Sequence, residues 1–104
     1  MTEMQKLMLD PGLMPAAHRG DKKITIRNGW RNMDPGPYEL IDFTNEDNRI
    51  SIDVYSVTKT IARDVPFEWC RADGFDNQDE LVKGMREFYD DFEAWSKVTV
   101  FKWR

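Results

Sequence analysis

The chain is poor in the residues that most often carry chemistry: among 104 residues it has one cysteine, Cys70, and one histidine, His18. A lone cysteine excludes an intramolecular disulfide. One Cys and one His also cannot supply the close ligand pairs of a structural zinc site. A Ser-His-Asp arrangement would have to use His18, and no nucleophile motif stands around it. No metal and no cofactor is therefore implied. No apolar run reaches the length of a membrane span. The opening "MTEMQKLMLDPG" is too polar, and too interrupted by Pro11 and Gly12, for a secretory signal. The expected address is the cytoplasm. Internal repeats and low-complexity stretches are missing as well, which excludes a solenoid or a tail.

What is present suits a globular domain. Hydrophobic residues make up 40% of the chain and charged ones 33%, enough for one modest core and hence a single domain over residues 1–104. The net charge of −4 hides an asymmetry. Residues 1–31 carry Lys6, Arg19, Lys22, Lys23, Arg27 and Arg31 against Glu3, Asp10 and Asp21. Residues 64–93 carry only Arg71, Lys83 and Arg86 against ten acids. A basic lip on an acidic body can hold an anion locally while the body repels long polyanions. Solvated surface charge is the competing reading for any one of these residues.

Periodicity divides the chain into a few elements. "LMPAAHR" (13–19) predicts a short helix that ends near Gly20. "KKITIRN" alternates, with Ile24 and Ile26 on one face and Lys23, Thr25 and Arg27 on the other, as a half-buried strand does. "MDPGPYE" reads as a loop, "YELIDFT" as a second strand, and "TNEDN" as the polar turn of a hairpin. Residues 49–63 predict a long strand whose apolar parity switches near Tyr55-Ser56, the mark of a bulge that helps a small sheet close. The chain leaves the sheet at Pro66. A helix over 77–93 follows, capped by Asn77 with Glu80 in a capping box, its stripe made of Leu81, Met85, Phe88 and Phe92. "WSKVTVFKWR" closes the sheet, with Trp95 and Trp103 assigned to the core. The expected fold is α+β, a small, mostly antiparallel barrel with one short N-terminal helix and one well-formed helix near the C-terminus. An open sheet with both helices on one face is the alternative.

Gly20, Lys22, Thr25 and Arg27 stand at the spacing G-x-K-x-x-T-x-R. This run resembles the signature of the ASCH domain, a branch of the PUA-like barrels. "PGPYELI", the element "ADGFDNQDEL" (72–81) before the main helix, and the last strand occur in matching order, so the resemblance runs from about Leu7 onward. Among small ASCH proteins of this length, the chain is most similar to the bacterial enzymes that remove the acetyl group from N4-acetylcytidine. That resemblance implies a metal-independent amidohydrolase with Lys22, Thr25 and Asp73 as catalytic residues. Asp73 stands where the family carries Glu, shorter by one methylene.

Amide hydrolysis needs a nucleophile, a base, an acid for the departing amine and oxyanion donors. A threonine hydroxyl activated by a substantially neutral lysine meets the first two needs, with Lys23 and Arg27 as cationic neighbours that lower the lysine's pKa. Asp73 can orient the lysine or relay a proton, and backbone N–H groups near Gly20 are the expected oxyanion donors. On a regular strand Lys22 and Thr25 point to opposite faces, so they converge only if Lys22 lies in the turn after Gly20. Lys23, Arg27 and Trp69 are the substrate-binding candidates, with Trp30 a second stacking platform. The expected partner is a modified nucleoside or RNA, with no membrane. A non-catalytic RNA- or nucleotide-binding module is the alternative, and an ASCH-type ribonuclease a weaker one.

Overall fold

A computed structural model describes residues 4–104. Its five strands form one sheet in the order β1-β3-β4-β5-β2, curled into a half-barrel. They are β1 (Gln5–Leu9), β2 (Ile24–Asn28), β3 (Gly36–Asp42), β4 (Asn45–Ile61) and β5 (Lys97–Trp103). Three short helices accompany them: α1 (Met14–Arg19), α2 (Phe67–Ala72) and α3 (Gln78–Arg86). The α+β class is as expected, and the sheet is mixed: β1 runs parallel to β3, while the other three pairings are antiparallel.

The curl comes from β4. Its first part pairs with β3 and its second with β5, and the register shifts between Val54 and Ser56, where the apolar parity switches. A bulge there bends the strand and sharpens its twist. Pro37, at the start of β3, lies one residue before β1 joins that strand at the Gln5–Tyr38 pair, so its missing N–H leaves no gap in the ladder.

Apolar side chains fill both faces. Leu7, Leu9, Tyr38, Leu40, Val54, Phe101 and Trp103 pack with Met14 and Ala17 of α1 in one cluster. Ile24, Ile26, Val98 and Val100 pack on the other side against Cys70, Leu81, Met85 and Phe92 from the α2–α3 region. The alternation of β2 therefore sends its isoleucines to one core and Thr25 and Arg27 to the opposite face.

Two elements have no counterpart in the periodicity reading, and two expectations need correcting. β1 is the first such element: Leu7 and Leu9 are buried while Lys6 and Met8 face out, a plain period of two. The segment after Pro66 is helical, but its six residues are too few to show a helical period. α3 has the Asn77 cap, whose side chain accepts from the Glu80 N–H at 2.9 Å. It stops at Arg86 instead of 93, where the chain continues into the acids Glu87, Asp90 and Asp91, unfavourable company for a helix C-terminus. Phe88 is consequently 78% exposed, whereas Phe92 returns to the core through a turn. Trp95 precedes β5, outside the ladder, and is 66% exposed; Trp103 is core as expected.

Candidate active site

Because the sheet stops short of closure, the free edges of β1 and β2 are its two ends. A cleft of about 250 Å³ opens beside them, lined by Met8, Leu9 and Asp10 from the β1 side and by Thr25, Ile26, Arg27 and Asn28 from β2. Lys22 and Asp73 line it too, and Phe75, Phe88 and Tyr89 form an aromatic wall.

Lys22 lies in the turn between α1 and β2, as convergence requires. Gly20 ends α1 in the left-handed region (φ 81°), a conformation in which glycine carries no Cβ penalty. The chain then folds back so that the Lys22 N–H donates to the Ala16 carbonyl at 3.1 Å. Its amine donates to Asp73 Oδ1 at 2.6 Å and to the Ile24 carbonyl at 2.8 Å. Asp73 arrives from the end of α2, where Gly74 (φ 95°) turns the chain, and its second oxygen accepts from the Ile26 N–H at 3.3 Å. The side chains of both partners are nine-tenths buried. The pair thus also satisfies backbone groups on the free edge of β2.

Burial pushes the Asp73 carboxyl above its ordinary 3.8, since ionising it removes a charge from water; Lys22, the Ile26 N–H and Arg27 pull the other way. Arg27 is lowered from its ordinary value chiefly by burial and then by Arg31, and a guanidinium this basic stays charged. Its Nε donates to Thr25 Oγ1 at 3.1 Å, and a terminal nitrogen reaches across to the Met8 carbonyl on β1 at 2.6 Å. Thr25 itself is buried.

The structure therefore gathers Lys22, Thr25, Asp73 and Arg27 in one cleft. Both of the lysine's hydrogen bonds go to Asp73 and Ile24, which leaves its third proton position without an assigned partner. The N–H groups of Gly20, Asp21 and Lys22 all bond to carbonyls of α1, so the turn offers no free oxyanion donors. Arg27, with donors to spare, is the better placed group.

Lys23 and Trp69 lie elsewhere. They line a second hollow with Tyr55, Glu68, Lys102 and Trp103, in which the Lys102 amine sits 3.9 Å from the centre of the Trp69 ring. Trp30 is in neither hollow; its indole N–H donates to the Thr60 carbonyl at 2.9 Å. Sequence reasoning missed Met8, Asn28, Phe88 and Tyr89. Only Met8 carried a signal, the alternation of "QKLML"; the others depend on where the sheet stops and α3 ends.

Among the described residues, no group of three or more His, Cys, Asp or Glu is arranged to hold a metal ion. No helix is long and apolar enough to cross a membrane. The chain matches no family model, no curated protein and no solved structure.

Proposed function

We propose that the protein is an amidohydrolase that removes the acetyl group from N4-acetylcytidine or a related N4-acylated pyrimidine nucleoside, and that its half-barrel is of the ASCH, PUA-like kind. One observation carries this reading: Lys22, Thr25 and Asp73, drawn from the α1–β2 turn, β2 and the end of α2, line a single cleft, with the lysine and aspartate 2.6 Å apart.

Burial pushes the Asp73 carboxyl up, so Asp73 is suited to receive a proton from the Lys22 amine across their 2.6 Å hydrogen bond. Once it has passed that proton, Lys22 takes the Thr25 proton as Oγ1 attacks the acyl carbon. Arg27, already bonded to Oγ1, offers its remaining N–H groups to the charge on the carbonyl oxygen. The C–N4 bond breaks as the Lys22 ammonium returns the proton to the departing amine, leaving an acyl ester on Thr25. Water then attacks the ester, gives one proton to Lys22, and acetic acid leaves with the other as the first returns to the threonine. Water and the acylated nucleoside become the free nucleoside and acetic acid, which releases its proton to solvent as acetate, with nothing else consumed.

The test is turnover of N4-acetylcytidine by the purified protein, followed by the loss of the acylcytidine absorbance and the release of acetate. Lys22→Ala is expected to abolish it. No turnover by the folded wild-type protein overturns the reading. A second reading, a non-catalytic RNA- or nucleotide-binding module, draws on the other hollow, where Lys23 and Lys102 flank Trp69. It would be favoured by salt-sensitive RNA binding that Trp69→Ala removes while the cleft stays inert.

A further inference from the structure

The ladder between β2 and β5 has a fixed parity. The Trp103 N–H donates to the Lys23 carbonyl at 3.0 Å, and the Gly29 N–H donates to the Lys97 carbonyl at 2.7 Å. The register between those points is unbroken, from Ile24–Lys102 to Asn28–Val98. In an antiparallel pair the two groups of one residue turn to the same side, and successive residues alternate. The odd-numbered residues of β2 therefore bond to β5, and Ile24, Ile26 and Asn28 turn their backbone groups to the free edge.

That edge is half occupied. The Ile24 carbonyl accepts from Lys22, and the Ile26 N–H donates to Asp73. The next two groups along it are the Ile26 carbonyl and the Asn28 N–H. Neither has a hydrogen-bond partner among the described residues, and both residues line the cleft. An acceptor and a donor side by side on a rigid strand are the means by which sheet edges bind an extended ligand.

We propose that this free backbone pair is the base-reading element of the site, taking the amino edge of a cytosine ring: the Ile26 carbonyl accepts from N4–H, and the Asn28 N–H donates to a ring acceptor. This inference rests on the reading of the cleft as an acylcytidine site. N4 keeps one hydrogen after acylation, so substrate and product both fit. The order along the edge is consistent with the chemistry, because the Lys22–Asp73 pair adjoins the position assigned to N4, the atom that carries the acyl group. A uracil ring has an acceptor where cytosine has N4–H, so it faces the Ile26 carbonyl with a second acceptor and is rejected.

The experiment uses cytidine and uridine, neither of which can be deacetylated, with the full chain and backbone-resolved NMR titration. Cytidine is expected to bind at least about tenfold more tightly than uridine and to shift the Ile26 and Asn28 amides. Asn28→Pro removes the N–H on the side away from β5 and is expected to weaken cytidine binding by about tenfold, whereas Asn28→Ala, which keeps it, is not. Should Asn28→Pro fail to fold, the wild-type comparison decides alone. Equal affinities, undetectable cytidine binding, or shifts centred on the Trp69 hollow overturn the proposal. Failure of the hydrolase reading looks different: cytidine is selected at the β2 edge but N4-acetylcytidine stays intact. Conversely, turnover without discrimination between cytidine and uridine removes the base-reading element and leaves the hydrolase.

Discussion

The Lys22–Asp73 pair can be tested as a structural element separately from its chemistry. Lys22→Met leaves a buried carboxylate without its cation, and Asp73→Asn leaves a buried amine without its anion. With both side chains at about one-tenth exposure, each change is expected to cost about 3–5 kcal/mol at neutral pH. In a domain of this size that lowers Tm by roughly 12–24 °C for the smaller figure. The double variant carries no buried charge, and the asparagine introduced at 73 keeps an acceptor for the Ile26 N–H. Its main loss is the donor to the Ile24 carbonyl, about 1 kcal/mol. The double variant should therefore fall short of the sum of the singles by at least about 3 kcal/mol. Urea unfolding at pH 7 and pH 4 is the assay. Because the folded protein holds the Asp73 proton above 3.8, Asp73's contribution is fully present below that value and is lost as pH rises through the raised pKa. The Lys22→Met penalty should accordingly shrink toward pH 4, as the stranded carboxylate takes up a proton. Singles that add to the double, or a Lys22→Met cost independent of pH, would refute the buried-pair argument.

Arg27→Gln is expected to lower kcat by about 10²–10³-fold if the guanidinium stabilises the oxyanion, with Arg27→Lys recovering part of the loss; steady-state kinetics on N4-acetylcytidine decides. Asp42 is held below 3.8, first by the Thr44 hydroxyl at 2.6 Å and also by the Thr44 N–H and Asn48. Its stabilisation is present above that value and lost as pH falls through the lower folded pKa. Asp42→Asn should therefore flatten the acid limb of a stability-versus-pH curve, as read by thermal melts. Gly84→Ala would drive a methyl group into the ring of Phe75. A net loss of about 1–2 kcal/mol is expected in denaturant unfolding, since crowding outweighs the gain in helix propensity.

The sequence showed most where a pattern was local. The Asn77 cap, the alternation of β2 and the parity switch at Tyr55-Ser56 each depend on neighbours a few residues apart, and each appears in the structure. That Lys22 and Thr25 can line one cleft was legible as a condition on the turn after Gly20, because strand parity forbids it anywhere else. The partition of Lys23 and Trp69 from Arg27 was not legible. It depends on Lys23 standing just before β2 begins and on where α2 packs, which is long-range information. The parallel β1–β3 pairing was hidden for the same reason, since a five-residue strand states its alternation but not its neighbour. Phe88 illustrates the converse: its helical spacing pointed to the core, and the early end of α3 left it at the cleft.

The Arg27–Met8 contact has a mechanical consequence. In a closed barrel, a continuous row of main-chain bonds resists parting of the walls. Here, among the described residues, the Arg27 guanidinium spans the gap between the two outermost strands, so it works as a clasp whose release lets the walls separate without breaking any ladder. A ligand group that takes over this guanidinium therefore trades a strand-to-strand tie for a contact of its own.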